Sequence, residues 1–305
     1  MWRPMKACPL LPPDMEHSNE NVLAAMKKLK KWPKIGSLKK DGIRGIRTDN
    51  LYSLRLKLIP NINIRERSSR LLINSDVELC NLSMEYNDIE SIVMSREHKD
   101  HNKIQFHLLD IYSSLMYYER LIFLEHKSLN EPDIIKPDYK ICQNADELLA
   151  YLLKCEQEKG EGICFRYINS PYIQKGTIDN RSTLKEEYLI KFGRRLRSEA
   201  IILDVLEQMA NCNSVNRNAV GAMDRSSAGA NMYAKNTLGA LLVQDIKSKA
   251  IFKIGTGFSD RVRKNIWSSW PRDKDKIITY SFKPHGEKDL PRQPAFVGFR
   301  SKIDM

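Results

Sequence analysis

The feature that most constrains the fold is a series of short apolar runs in the second half of the chain. Six runs of five to nine residues are separated by polar or turn-forming residues: GICFRY, YLIKF, EAIILDVLE, LGALLVQDI, AIFKIG and IITYSF. Runs of this length between turns are typical of β-strands, and none approaches the roughly eighteen apolar residues of a transmembrane helix. The second half of the chain is therefore predicted to be mostly strand.

Helical patterns lie mainly before these runs. The segment from Asn19 to Trp32 places apolar residues on one face and precedes a proline, which predicts an amphipathic helix. A second helix is predicted from Asp146 to Lys159, with Asp146 as its N-cap. A third is predicted from Ser259 to Trp270. Between the first two, Leu54–Leu58 alternates apolar and basic residues, which predicts a half-buried strand.

The 305 residues are enough for two domains. Because helices and strands mix up to about Glu199 and strands dominate after it, we predict an α+β domain over residues 1–198 and a small β-barrel over 199–305. The polar segment from Asn211 to Asn236 has two equal interpretations. It is either a long loop that contacts a nucleic-acid backbone or a disordered insertion.

The net charge indicates the kind of partner, and the cysteine content indicates the cellular compartment. Lys and Arg number 50 against 38 Asp and Glu, so the net charge is +12, which favours polyanionic partners such as nucleic acid or nucleotides. The six cysteines contain no Cys-x-x-Cys pair, so we expect reduced thiols and no structural zinc site. The first residues have no long apolar core. These features predict a soluble cytoplasmic protein without a membrane anchor.

Six short segments contain the residues suited to covalent nucleotide chemistry. The first has the pattern Lys-x-Asp-Gly-x-Arg and runs from Lys39 to Arg44. Alone this pattern is only suggestive, but five more segments follow it in order: Asp76–Leu79, Phe106–Asp110, Glu161–Arg166, Leu189–Phe192 and Pro291–Arg300. A lysine amine can attack the α-phosphorus of a nucleoside triphosphate and hold the nucleotide covalently, which divides one difficult step into two easier ones.

These segments resemble those of the ATP-dependent DNA ligases in the covalent nucleotidyltransferase superfamily. Two further segments, Tyr86–Ser95 and Ile254–Phe258, are similar to the compact two-domain ligases of bacteriophages. The resemblance runs from about Pro33 to the C-terminus. It implies an α+β adenylyltransferase domain of the ATP-grasp-like nucleotidyltransferase type, followed by an OB-fold β-barrel. It also implies ATP and Mg²⁺ as cofactors, nicked duplex DNA as the partner, and a monomer.

Lys39 is the predicted nucleophile, because Lys40 does not have the Asp-Gly pair at the required offset. A lysine attacks only as the free amine, yet it normally titrates near 10.4. Neighbouring cations and partial burial lower such a value. Lys40, Arg44 and Lys191 would lower the pKa of Lys39 in this way if they converge around it.

The resemblance also implies residues that contact the adenosine and the metal ion. Arg44 and Glu78 resemble the pair that contacts the ribose, and Leu109 stands where the family usually has an aromatic residue against adenine. Glu161 resembles the carboxylate that helps to hold a divalent ion, and Glu78 is predicted as a second ligand.

Other cations are implied as phosphate ligands. Lys191 and Lys185 are expected at the ATP phosphates, although a glycine replaces the second lysine of the usual Lys-x-Lys. Arg55 is expected at the nick phosphate, with its position displaced by one. Arg292 and Arg300 resemble the final segment of the family, which contacts the ATP pyrophosphate.

Two other functions remain open from the sequence. An RNA ligase or an mRNA-capping guanylyltransferase shares the lysine chemistry. A non-catalytic nucleic-acid-binding protein with a decayed site is the second alternative, and it is favoured by the leucine at position 109 and the glycine at position 193.

Overall fold

The chain folds into two compact units. The computed structural model describes residues 2–12, 15–158, 160–174, 184–217, 223–226, 228–287 and 290–300. Contacts between residues assign Met1–Pro12 and Ser18–Gly193 to the first unit, and Pro13–His17 and Arg194–Met305 to the second. The division therefore follows Gly193, whereas the sequence placed it near Glu199.

Two five-stranded sheets make up the framework of the first unit. One has the order β1-β10-β9-β2-β8 and the other β4-β3-β5-β6-β7. The strands, in chain order, are β1 (Cys8–Pro9), β2 (Lys34–Leu38), β3 (Ile43–Arg47), β4 (Leu51–Ser53), β5 (Ser75–Cys80), β6 (Gln105–Ile111), β7 (Ile134–Ile135), β8 (Lys140–Cys142), β9 (Gly162–Tyr167) and β10 (Ile190–Gly193).

Helices pack on these sheets through their apolar faces. The α-helices are α1 (Asn19–Lys27), α2 (Ile62–Arg67), α3 (Tyr86–Met94), α4 (Tyr117–Lys127) and α5 (Ala145–Gln157), and short 3-10 turns occupy Ser68–Arg70 and His101–Lys103. Buried side chains from α1 and α5 share one core with β9 and β10. Those from α2 and α3 share another with β5 and β6. Each sheet is thus covered by its own helices.

The sequence located two helices correctly but misplaced their ends. Helix α1 begins at the predicted Asn19 and ends at Lys27, five residues before Trp32. Helix α5 is capped by Asn144, whose side chain accepts a hydrogen bond from the backbone N–H of Glu147, so the predicted cap at Asp146 is wrong. Asp146 instead lies in the first turn, where its negative charge favours the helix.

The predicted strand Leu54–Leu58 is wrong. Strand β4 stops at Ser53, and the chain turns there because the N–H of Leu56 donates to the Ser53 carbonyl at 2.8 Å. Leu56 has a φ of 59°, which a continuous strand does not permit. The alternating pattern therefore reflects a turn that exposes Arg55 and Lys57 and buries only Leu56.

A buried ionic cluster joins the two sheets of the first unit. The Asp110 carboxylate on β6 accepts hydrogen bonds from Arg120 of α4 at 2.6 and 3.1 Å. It also accepts one from Arg166 on β9, a strand of the other sheet. The guanidinium of Arg166 lies 4.2 Å from the centre of the Tyr117 ring. This cluster fixes the position of one sheet against the other.

The second unit contains a five-stranded antiparallel sheet with the order β15-β14-β11-β16-β17. The chain after β15 meets β17 at a single bridge, where the N–H of Phe296 donates to the Thr256 carbonyl at 2.9 Å. The described strands therefore form an open sheet with one bridging contact and not a fully paired barrel. Its elements are β11 (Leu196–Asn211), β12 (Val215–Arg217), β13 (Met223–Arg225), β14 (Met232–Asp245), β15 (Ile251–Ile254), α6 (Asp260–Ser269), β16 (Ile277–Glu287) and β17 (Leu290–Phe299), with a 3-10 turn at Gly229–Asn231.

The segment from Asn211 to Asn236 includes regular structure. Strands β12 and β13 pair with each other, and β14 begins at Met232. The prediction of a long loop or a disordered insertion is therefore wrong for these residues, while 218–222 and 227 lie outside the described residues. Across the described part of the chain, no helix has both the length and the apolar character that a membrane crossing requires.

Candidate active site

Lys39 follows directly after β2 and contacts Glu161. The two chain segments pair here, since the N–H of Lys39 donates to the Gly162 carbonyl at 2.9 Å and the N–H of Glu161 donates to the Lys39 carbonyl at 3.2 Å. The Lys39 ammonium forms an ion pair with the Glu161 carboxylate. The Lys39 side chain is 25% exposed and that of Glu161 is 8% exposed. The predicted nucleophile is thus accessible from solvent, while its partner is mostly enclosed.

Two glycines allow this close arrangement of strands. Gly162 has a φ of 137°, and a Cβ there would lie 2.2 Å from the Phe192 carbonyl oxygen. A Cβ on Gly42 would lie 2.6 Å from the Leu79 carbonyl oxygen and 2.7 Å from the Cβ of Cys80. Any side chain at these positions would push β9 from β10 or the Lys39 segment from β5.

Arg44 and Glu78 lie opposite each other on neighbouring strands, but their side chains are not paired. Residue 44 of β3 is in register with residue 78 of β5. The Arg44 guanidinium instead binds Asp76, with its Nε at 2.7 Å and its Nη2 at 2.5 Å from the carboxylate oxygens. Its Nη1 donates to the Met5 carbonyl at 2.8 Å. The Arg44 guanidinium is therefore held by Asp76 and the main chain of Met5, and not by Glu78.

Glu78 has an unusual protonation equilibrium. Burial raises the pKa of its carboxyl to about 7, although the positive charges of Arg44 and Lys39 act in the opposite direction. The pKa of Glu78 therefore stays high because the nearby cations stabilise its ionised form by less than burial destabilises it. Lys39 is close enough to influence Glu78 and contacts Glu161, so it is the group that links the two carboxylates.

Strand β6 supplies no aromatic ring at the predicted adenine position. Phe106 is fully buried in the hydrophobic core, and Leu109 is half-buried. His107, which the sequence analysis missed, is in register with Glu78 and is only 3% exposed. Burial, followed by the charge of Lys40, lowers the pKa of His107 to about 4, so its ring is neutral near pH 7. The alternation of β6 could have revealed it, since it places residue 107 on the opposite face from the core residues Phe106 and Leu108.

The remaining predicted cations are distributed over both units. Lys191 lies exposed on β10, beside β9, and Lys185 lies exposed in the turn before β10. Arg55 is exposed in its turn. In the second unit, Arg292 is buried on β17, and Arg300 forms an ion pair with Glu199. Among the predicted site residues, the structure thus brings Lys39, Glu161 and Glu78 together most clearly.

The sequence analysis also missed a buried ion pair at the start of β2. The ammonium of Lys34 is fully buried and lies 2.5 Å from the Glu187 carboxylate. That carboxylate also accepts the backbone N–H groups of Lys30 and Lys31, at 2.7 and 3.1 Å. Burial lowers the pKa of Lys34, and Glu187 opposes this effect. The pair was not predictable from local sequence, because Lys34 and Glu187 are 153 residues apart in the chain.

The carboxylates of Glu161 and Glu78 suit a magnesium ion whose other ligands are water and substrate phosphates. No group of three or more acidic, histidine or cysteine ligands occurs within the described ranges. Mg²⁺ commonly takes only one or two protein carboxylates and fills its other positions with water and substrate phosphates. The burial-raised pKa of Glu78 fits this description, since a cation would favour its ionised form.

Comparisons with known proteins identify the fold. A family model described as the DNA ligase OB-like domain matches residues 231–300. Among solved structures, the chain is similar to a Lig E DNA ligase, with 19% identity, a TM-score of 0.70, and 98% of this chain and 99% of that chain covered. This chain has the fold of a DNA ligase. It is also similar to the structure named Pmar-Lig_Pre, with 19% identity, a TM-score of 0.65, and 98% of this chain and 68% of that chain covered. No curated protein matches it.

The ligase fold confirms the resemblance to DNA ligases and the predicted fold class. The match to Lig E spans both units, and the OB-like match lies entirely in the second. Because the match covers 98% of this chain, it extends into the N-terminal thirty residues, which the sequence resemblance did not include.

Proposed function

We propose that this protein is an ATP-dependent DNA ligase that seals nicks between a 5′-phosphate and a 3′-hydroxyl in duplex DNA through a lysyl-AMP intermediate on Lys39. The observation that carries the proposal is the contact between Lys39 and Glu161 within a DNA-ligase fold. It combines a partly exposed amine, suited to nucleophilic attack, with an acidic neighbour suited to a nucleotide-bound cation.

The proposed reaction has three displacements at phosphorus. The Lys39 amine attacks the α-phosphorus of ATP, so that a P–N bond forms and pyrophosphate leaves. An oxygen of the 5′-phosphate then attacks the same phosphorus and releases the lysine. Finally, the 3′-hydroxyl attacks the activated 5′-phosphate, and AMP leaves as the phosphodiester forms. Each step exchanges one bond at phosphorus for another and needs no further reactant.

The residues of the first unit have separate tasks in this scheme. Glu161 holds the Lys39 amine at the end of β2, and the amine must lose its proton before it attacks. Arg44 and Glu78 bind the adenosine hydroxyl groups, Leu109 contacts the base, and Lys185 and Lys191 contact the phosphates. Mg²⁺, held by Glu161 and Glu78, would stabilise the negative charge that develops on the phosphates.

The second unit and the charge of the chain complete the proposal. Arg292 and Arg300 contact the pyrophosphate of ATP, and Arg55 contacts the nick phosphate. The net charge of +12 supports binding to duplex phosphates, which should weaken steeply with added salt. We further propose that residues 1–198 form the adenylyltransferase domain and 199–305 the OB domain. The protein is proposed to act as a cytoplasmic monomer in DNA replication, repair or recombination.

Labelling with nucleotide tests the nucleophile. Incubation with α-labelled ATP and magnesium should give a covalent band that resists acid and is cleaved by hydroxylamine. The Lys39→Ala variant should lack this band. Lys40→Ala is the matched control, because it removes the neighbouring charge and should retain the band. Labelling of Lys39→Ala would show that another residue is the nucleophile.

Substrate choice separates the proposed ligase from its alternatives. An RNA ligase would seal nicked RNA in preference to nicked DNA, and a capping guanylyltransferase would be labelled by GTP. A non-catalytic binding protein would bind nicked duplex without any covalent adduct. We expect labelling by ATP and sealing of nicked duplex DNA.

A further inference from the structure

The first residues of the chain form an ordered segment, here called the N-terminal arm, residues 2–11. Trp2 is buried, its ring stacks on Tyr112 with centroids 5.3 Å apart, and it meets Tyr172 edge-on at 5.5 Å. Its indole N–H donates to the Asn74 side-chain oxygen at 2.9 Å. Trp2 therefore anchors the arm beside the start of β5.

Met5 of the arm takes part in the hydrogen bonds that hold Arg44. The Met5 carbonyl accepts from Arg44 Nη1 at 2.8 Å, and its N–H donates to the Tyr172 hydroxyl at 3.4 Å. That hydroxyl donates to the Asp76 carboxylate at 2.7 Å, the same carboxylate that binds Arg44. The Arg44 guanidinium is thus held by one hydrogen-bonded network, which consists of the main chain of Met5, the Tyr172 hydroxyl and Asp76.

The other end of the arm reaches the second sheet of the same unit. Its strand β1 runs parallel to β10. The N–H of Cys8 donates to the Leu189 carbonyl and that of Leu10 to the Lys191 carbonyl, both at 2.9 Å. The arm therefore contacts the sheet that contains Arg44 and the sheet that contains Lys191.

We propose that the N-terminal arm is a positioning element of the nucleotide site, which fixes the direction of the Arg44 guanidinium and the strand of Lys191. The inference rests on the proposed function, since it takes these residues as ATP ligands. A guanidinium carries five N–H donors. Among the described residues, Asp76 accepts two of them and Met5 one, so two remain for a ligand. The arm determines where those two donors point.

Two substitutions test the arm without touching the ATP ligands. Trp2→Ala removes its anchor. Tyr172→Phe removes only the hydroxyl that joins Met5 to Asp76, so it is the milder variant if Trp2→Ala fails to fold. Trp267→Ala is the control for loss of an indole that packs against a core away from the arm, since Trp267 lies in the second unit. The measurement is the rate of lysyl-AMP formation against ATP concentration, together with the melting temperature.

We expect both arm variants to raise the KM for ATP by roughly tenfold, with kcat nearly unchanged. This is the effect of losing about one hydrogen bond between the charged Arg44 guanidinium and the nucleotide. The Trp267→Ala variant should keep the wild-type KM. A purely structural role would reduce the folded fraction, and hence the apparent kcat, at an unchanged KM. A KM within twofold of wild type in both arm variants overturns the inference. If the wild-type protein forms no adduct, the proposed function fails instead, so the two failures are distinguishable.

Discussion

The buried cluster around Asp110 gives the sharpest prediction about stability. One carboxylate lies between two guanidinium groups, and the side chains of Asp110 and Arg120 are fully buried, while that of Arg166 is 6% exposed. Asp110→Asn leaves two buried positive charges with no counter-charge. Removal of one partner from a buried ion pair typically costs about 3–5 kcal/mol. Because two arginines lose their partner at once, we expect the upper end of that range.

Arg166→Met is the informative comparison, because it leaves Asp110 and Arg120 as a neutral pair with two hydrogen bonds. Its cost should be roughly 1.5–3 kcal/mol, the value of one hydrogen bond between charged groups. Removal of a positive charge from this cluster should thus cost less than removal of the single negative one.

Amide hydrogen exchange in β6 and β9 is the appropriate assay, since it reports on the first unit without interference from the second. Burial alone would raise the pKa of Asp110, but Arg166 and Arg120 hold it below its usual value. The contribution of the cluster to the unfolding free energy should therefore be complete above about pH 4. It should be lost as the pH falls through the lowered pKa of Asp110 in the folded protein. If Arg166→Met costs as much as Asp110→Asn, this electrostatic account is wrong.

Three further predictions concern the site. Gly42→Ala should destabilise the fold by about 1–3 kcal/mol in urea unfolding, because its Cβ would overlap β5, whereas Gly229→Ala, with open space around it, should cost less than half as much. Since the pKa of Glu78 is raised, the unfolding free energy of wild type relative to Glu78→Gln should fall from pH 4.5 to about 7; a constant difference would refute this. The His107 ring should titrate near pH 4 by NMR, and a midpoint near 6.5 would contradict its burial.

Local signals in the sequence were sufficient for the six apolar runs and for helix α6. The apolar runs after Gly162 became strands, and Ser259 caps α6 where the pattern placed a helix start. Helix ends were predicted less accurately. The N-cap of α5 depends on whether Asn144 or Asp146 accepts a hydrogen bond from the free N–H groups of the first turn, and the sequence does not decide this. The turn at Leu56 was missed because alternation fits a strand and an exposed turn equally well.

The site was predictable only where its residues lie in recognisable motifs. Lys39 and Glu161 meet because β2 pairs with β9, and the motifs that contain them mark the ends of those strands. The partner of Arg44 was not predictable, because Asp76 and Glu78 point to one face of β5 and packing alone selects Asp76. The contact with Met5 comes from a segment without any recognisable motif.

The central claim is that the Lys39 amine captures an adenylyl group, and mass spectrometry tests it most directly. Wild-type protein mixed with ATP and magnesium should gain about 329 Da, the mass of one covalently attached adenylyl group. Peptide mapping should place the added mass on Lys39, and Lys39→Ala should show no gain. The absence of any gain in the wild-type protein, or its location on Lys40, would contradict the account.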